Sequence, residues 1–497
     1  MKKLWMISAL ILAAATTTLS QTSTEAFRYS RTDIGGTARY MGLSGAFGAL
    51  GADFTTAGTN PAGLGLFKTS EFSITPAVHT GSVASSFNGT SGSDMRTNFY
   101  LGNLGLVLTS KVQSKPNRPG WKYVTFATGL NRLNDFNYRY EMTGTNFTNS
   151  LLDVYAQDAD KIKYTEIEQD PDGSFAYDLN LAWWDWLLDL KPGDPDSSSY
   201  VTPIPTGVDK LQTKTINSRG SMNEYVFSIG SNYNNRLYLG LTLGIPSIRY
   251  FESTVYTESD IQSSDLKNFR RYEELETRGS GFNLKVGAIY RASDWLRVGA
   301  AFHTPTWYGN MRDYWQVTMT SEFNTPDLDG ETIYSRTSPS GYYEYSLQTP
   351  YRVQGNLAFI IGNVGLVSAD YELADYSGAR FDAYDYSFNG ENSSIRNSYA
   401  LTHHVRIGTE WRYNIFSFRA GAKYFTSPYQ NDLNDGSRLG FSGGLGLKTE
   451  WFFMDLAYAY NSMKDDYYFY NTEGISSGAV ANTTVNHNIL LTLGVKL

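Results

Sequence analysis

Four glycines, Gly42, Gly45, Gly48 and Gly51, recur at every third position in a stretch almost free of charge. Glycine-rich backbone can cradle a phosphate. A phosphate loop, however, needs Gly-Lys-Ser/Thr after its glycines, and a dinucleotide loop needs G-x-G-x-x-G after a strand. Neither follows here. Small residues at a helical spacing instead predict close backbone packing. The stretch runs into Asn60-Pro61-Ala62-Gly63, residue types that favour a turn.

Other reactive constellations are sparse. The chain has no cysteine, which removes thiolate metal sites, disulfides and a cysteine nucleophile. Its five histidines are scattered at 79, 303, 403, 404 and 487. Adjacent residues of a strand face opposite ways, so His403 and His404 cannot chelate together. No nucleophile motif of the G-x-S-x-G kind stands out, and neither an enzyme, a cofactor nor a metal is expected. A net charge of −8 leaves no basic excess for nucleic acid.

The elements that would position any site are strands. In IFSFRAGAKY, Phe416, Phe418, Ala420, Ala422 and Tyr424 alternate with Ser417, Arg419, Gly421 and Lys423. In RLYLGLTLGI, Leu237 to Ile245 do the same, and the last stretch, VNHNILLTLGVKL, breaks the pattern only at Leu490. Fourteen such segments follow Glu71, near 71–79, 97–109, 121–131, 222–234, 236–250, 279–291, 295–306, 346–361, 364–375, 401–413, 415–425, 437–448, 451–462 and 485–497. From the third onward, long links alternate with tight turns, the longest link being 132–221. An even number of strands with short turns at one rim and long loops at the other is the layout of an outer-membrane barrel. Pro246, Pro305, Pro350 and Pro428 fall at strand ends; Pro76 is the exception. Aromatics make up 15% of the residues, with 37 tyrosines, which suits a membrane interface.

The outward faces are therefore predicted to meet lipid. The inward ones, rich in Gly, Asn, Thr, Arg and Glu, surround something inside. Arg297, Asp370, Glu372, Arg406, Glu410, Arg412, Arg419 and Asp455 are expected to form ion pairs that brace it. The N-terminus, two lysines and then an apolar run from Leu4 to Ala15, reads as a signal peptide over 1–20. No stretch is long and apolar enough for a transmembrane helix.

The block GGTARYMGLSGAFGALGADFTTAGTNPAGL (35–64) resembles the N-terminal hatch of the FadL/TodX (OmpP1) outer-membrane transport proteins. LRVGAAFHTPT (296–306), TPYRVQGNLAF (349–359), VSADYELADYS (367–377) and RAGAKYFTSPY (419–429) resemble later strands of that family. The resemblance implies an all-β fold: a 14-stranded antiparallel transmembrane β-barrel with a hatch over 21–69 and the barrel over 70–497, in the outer membrane of a Gram-negative bacterium. It implies passive transport of hydrophobic small molecules, such as long-chain fatty acids or aromatic hydrocarbons, by loop capture, lumen binding and hatch-gated lateral release beside a kinked third strand.

On this reading Asn60, Pro61, Ala62 and Gly63 gate the hatch. Phe47, Leu50 and Phe54 are candidate ligand contacts, and Trp183, Trp184 and Trp186 in LNLAWWDWLLDL (179–190) form a capture patch or a helix over the mouth. The expected partners are a hydrophobic ligand, membrane lipid and the outer-membrane assembly machinery through the C-terminal strand, with the protein a monomer. The alternative is a general porin or a surface-exposed binding protein that uses its long Tyr-rich loops.

Overall fold

The computed structural model describes residues 22–33, 35–113, 119–169, 177–205, 207–262, 264–430 and 434–497. The signal peptide expected over 1–20 lies outside them.

Strands form where alternation is strongest, and each pairs antiparallel with the next. They are β1 (Glu71–Phe87), β2 (Thr90–Lys111), β3 (Trp121–Asp135, resuming as Tyr138–Asn146), β4 (Lys210–Tyr233), β5 (Leu237–Ser259), β6 (Leu266–Arg291) and β7 (Leu296–His303 and Trp307–Phe323). Then follow β8 (Gly341–Gln348 and Arg352–Ile361), β9 (Gly365–Asp375), β10 (Leu401–Tyr413), β11 (Phe416–Phe425), β12 (Arg438–Lys448), β13 (Phe452–Tyr468) and β14 (Ala479–Lys496). β14 pairs with β1 from Glu71↔Lys496 to Ser86↔Ala481, so the 14 strands close into a barrel.

The alternation sorts into two environments. Leu239, Leu241, Leu243 and Ile245 are exposed on the outside, while Tyr238 and Thr242, of the opposite parity, are buried. Phe416 and Phe418 are likewise exposed and Arg419 is buried. This outer belt of apolar side chains is the surface a barrel presents to lipid. Leu490, out of pattern in the sequence, keeps its inward place and packs with Ala38, Tyr40 and Met41 in the lumen.

The long links shorten in the structure. The segment expected as a loop over 132–221 contains the upper parts of β3 and β4, because their ladder continues from Tyr138↔Ser218 to Asn146↔Lys210. The connection that remains carries helices α3 (Leu151–Ala159), α4 (Tyr164–Glu168) and α5 (Tyr177–Trp184). Pro305 and Pro350 fall in the breaks of β7 and β8, where no ladder bond is lost. Pro76 sits at a register shift of the β1–β2 pair, and Pro246 sits inside β5 rather than at its end.

One stretch of wall lacks a backbone ladder. β2 and β3 pair only from Asn103↔Asn131 to Lys111↔Tyr123. Above that level β2 continues to Thr90 on β1 alone, and β3 continues on β4 alone after its break at Phe136–Asn137.

Residues 22–67 carry α1 (Ser23–Ser30), α2 (Ala38–Gly42) and two 3₁₀ turns (Phe54–Gly58 and Pro61–Leu66). They pack against inward faces on opposite sides of the barrel: Leu43 lies on Gly408 of β10 and Gly421 of β11, and Phe54 on Gly105 of β2 and Gly129 of β3. The three-residue glycine spacing is not one helix face. Gly42 ends α2, whereas Gly45 and Gly51 take left-handed φ values of 81° and 69° at turns.

Candidate functional site

The N-terminal segment is seated on bare strand backbone. Asn60 is fully buried; its side chain accepts from the Ala62 amide at 3.2 Å and donates to the Gly48 carbonyl at 2.8 Å. This cap starts the 3₁₀ turn that begins at Pro61, whose fixed φ suits a first helical position. Beneath it a β-carbon on Gly240 of β5 would strike the Pro61 carbonyl, and one on Gly287 of β6 would strike the Asn60 side chain. The inward glycines are the clearance that lets the segment lie flat on the wall.

On the opposite side the segment is held by charge. Glu410 of β10 is buried and accepts from Arg39 of α2 at 2.9 Å, Arg419 of β11 at 2.7 Å and Arg412 at 2.5 Å. Arg419 also donates to Asp455 of β13 at 2.6 Å. Asp370 of β9 accepts from the Phe47 and Gly48 amides, both at 2.8 Å, and Arg297 of β7 donates to the Leu50 carbonyl at 2.9 Å. Of the inward charges expected to form ion pairs, Glu410, Arg412, Arg419 and Asp455 do so here, whereas Asp370 and Arg297 hold the segment through its backbone instead. A buried pair of this kind is costly to break because one charge is left without a partner.

Between segment and wall lies a cavity of about 70 Å³, lined by residues including Glu224, Lys285, His303, Arg352, Glu372 and Arg406. Glu372 of β9 accepts from Arg352 at 3.0 Å and from Arg406 and His404 at 3.1 Å. Lys285 and Asn283 of β6 both donate to Glu224 of β4. Lys423 donates to Asp33 of the segment at 2.8 Å. Burial pushes the Asp33 carboxyl up, but Lys423 and Arg438 outweigh it and hold it below the usual carboxylate range. The lining mixes these charged side chains with Tyr29, Met41, Leu133, Tyr308 and Phe441. His404 faces inward to Glu372, and His403 faces outward to Tyr371 at 2.6 Å, as strand geometry requires.

The mouth above is apolar. Leu179, Leu181, Ala182, Leu187 and Leu188 of the α5 region join one cluster with Leu152, Ile216, Phe269 and Met319. Trp183 packs between Tyr164 and Tyr200, with ring centroids 5.5 and 6.3 Å away. Trp184 and Trp186 are exposed, and Arg336 stacks on Trp184 at 4.8 Å. Asp185 between them is buried, and the Arg336 guanidinium lies 4.0 Å from its carboxylate. Burial, against the smaller pull of Arg336, pushes its pKa up to about 7.

Where the β2–β3 ladder stops, side chains bridge the gap. Asn98 donates to Asp135 at 3.1 Å, Arg139 pairs with Asp94 at 2.8 Å, and Arg96 reaches the Ser218 carbonyl at 3.1 Å. Arg132 lies over the Tyr100 ring at 5.1 Å. Met95 and Phe99 stand exposed on the outer face beside the gap. The third strand, expected from the resemblance to be kinked, breaks at Phe136–Asn137, a position that no proline or glycine marks; Gly129 lies within its continuous first part and Gly144 within its second.

The remaining candidates are packed rather than free. Phe47 lies against Tyr40 with Arg39 over its ring at 4.9 Å. Leu50 is buried with it, and Phe54 is the centre of a cluster with Leu64, Val107 and Val226. Ala62 and Gly63 are buried at the seat.

A closed barrel of 14 antiparallel strands with an apolar outer belt is a membrane-spanning β-barrel. Its fold is that of the FadL/TodX transport barrels. The Pseudomonas putida toluene transporter TodX matches with a TM-score of 0.53 and 12% identity over 94% of this chain and 99% of that one. A Pseudomonas aeruginosa FadL homologue matches with a TM-score of 0.52 and 10% identity over 93% and 98%. No protein-family model and no curated protein sequence matches the chain.

Proposed function

We propose that the protein is a passive outer-membrane transporter of hydrophobic small molecules in a Gram-negative bacterium, with residues 21–69 as its hatch. Cargo meets apolar surface at the mouth, where Trp184 and Trp186 are exposed, and burial of each ligand CH₂ contributes about 0.8 kcal/mol. It leaves sideways at the β2–β3 seam into the bilayer. Asn60, Pro61, Ala62 and Gly63 form the joint on which the hatch moves, and Phe47, Leu50 and Phe54 meet ligand only once it has moved. The chain acts as a monomer, inserted by the assembly machinery through its C-terminal strand.

The observation that carries this reading is the juxtaposition of the seam with the charged cavity. Glu372, Arg352 and Arg406 form a buried ion cluster in that cavity, and a hydrocarbon gains little against such groups. The unpaired stretch of wall lies beside it, with Met95 and Phe99 exposed on its outer face.

A second reading, a general porin or surface-exposed binding protein using its long Tyr-rich loops, draws on the same charged lining. Planar-bilayer conductance separates the two. The transporter gives a closed or very small pore that opens when residues 21–64 are removed; large steady currents from the intact chain contradict it.

A further inference from the structure

A row of arginines crosses the outside of the wall just above the apolar belt. Register places Arg249 of β5 opposite Arg278 of β6, and Arg278 opposite Arg312 of β7. Arg249 shares the outward parity of Ile245 and Arg278 that of Phe282, Arg312 stands between the buried Met311 and Asp313, and all three are exposed. Like charges directly opposite on neighbouring strands repel. Three in a row call for an anion.

The acidic groups within reach cover only part of this charge. Arg278 pairs with Glu276, and Arg312 with Glu344 at 3.1 Å. Glu274 lies further up β6 and is engaged by Tyr272. Arg249 has no carboxylate partner among the described residues, and neither does Arg219 of β4. Both guanidiniums lie over the Phe251 ring, at 5.0 Å each.

The height of the row identifies the anion. Along β5 the belt ends at Ile245, Ser247 follows, and Arg249 comes next on the same face. Four residues of strand rise about 13 Å. With a tilt near 40° this is about 10 Å along the membrane normal, the depth of the headgroup layer. Trp307 and Tyr225 lie at the belt's upper edge, as interfacial aromatics do. Width matters too. Three strands at about 4.8 Å spacing spread the guanidiniums over about 10 Å, more than one phosphate spans. Phe251, Tyr314 and Tyr342 occupy the next outward row, faces on which a sugar ring can lie.

We propose that Arg249, Arg278 and Arg312, with Arg219 beside them, bind the headgroup of a membrane glycolipid carrying more than one phosphate, held against the outer wall of the barrel. Guanidinium forks match phosphate oxygens in pairs, and lysine would not replace them. The placement of this lipid in the outer leaflet rests on the long loops being extracellular; the binding itself does not.

Native mass spectrometry of the full chain in detergent, titrated with a bis-phosphorylated glucosamine-disaccharide lipid, tests this. The wild type retains one lipid adduct, and the same lipid stripped of its phosphates binds at least tenfold less. Arg249→Gln/Arg278→Gln/Arg312→Gln loses the adduct at least tenfold while keeping the heat-modifiable gel mobility of a folded barrel. Should the triple variant not fold, Arg249→Gln alone, at an exposed site with no ion pair to break, lowers occupancy at least threefold. Equal binding of the dephosphorylated lipid, or an undiminished adduct in whichever variant folds, overturns the proposal. Preference for phosphatidylglycerol over the glycolipid also overturns it. Surface accessibility of a tag in the 147–209 loop on intact cells tests the orientation separately.

Discussion

The wall treats its two sides differently. From β9 to β13 it grips the N-terminal segment with buried groups: Glu410 under three guanidiniums, Asp370 under two amides. At β2–β3 it gives up its own ladder and bridges the gap with half-exposed side chains such as Arg139–Asp94. Backbone ladders and buried pairs are expensive to open, whereas exposed ion pairs contribute little. On the proposed function the first region holds and the second parts, and the contrast can be broken experimentally from either side.

The largest effect is expected at the grip. Glu410→Ala strips Arg39, Arg412 and Arg419 of their shared acceptor and costs about 3–5 kcal/mol. Thermal unfolding of the barrel should record the loss, and planar-bilayer recording should show intermittent openings as the segment loosens. A smaller cost follows at the glycine seat. Gly240→Ala drives a β-carbon into the Pro61 carbonyl and should cost about 1–3 kcal/mol. Protease should then cleave within 22–67 faster than in the wild type while the barrel stays intact.

At the seam the sign of the functional effect reverses. Asn98→Ala combined with Arg139→Ala should change stability by less than about 1 kcal/mol, because both contacts are partly exposed. Uptake of a hydrophobic compound by proteoliposomes should nevertheless rise. If both stability and uptake fall, the seam is structural and the contrast collapses.

The smallest effect is confined to the mouth. Asp185 titrates near 7 when packed and near about 4 when the loop opens, so the packed loop binds a proton that the open one releases. Packing is therefore firmest below pH 4 and weakens as pH rises from about 4 to about 7. Cleavage of the 147–209 loop should be faster at pH 8 than at pH 5, and Asp185→Asn should remove the difference.

Much of this fold was legible because period-two alternation is imposed by lipid on one face and a crowded lumen on the other. Even the lapse at Leu490 obeys it, since the N-terminal segment supplies an apolar surface inside. The inward ion pairs could be anticipated from parity, although their partners could not. Three features were illegible. The extensions of β3 and β4 above the membrane have weak alternation, because both faces there meet protein or water. The break at Phe136–Asn137 follows from β3 abandoning β2, a choice of partner rather than a local propensity. Arg249, Arg278 and Arg312 lie about 30 residues apart in sequence, and only register unites them.

The central claim is that hydrophobic cargo passes through the seam and not through the charged layer. A hydrophobic diazirine compound, photolysed during uptake in native membranes and mapped by peptide mass spectrometry, tests it most directly. The account predicts adducts on Met95 and Phe99 beside the seam and none on Asp370 or Glu372. Labelling concentrated on the charged cavity, with the seam unmarked, would contradict it.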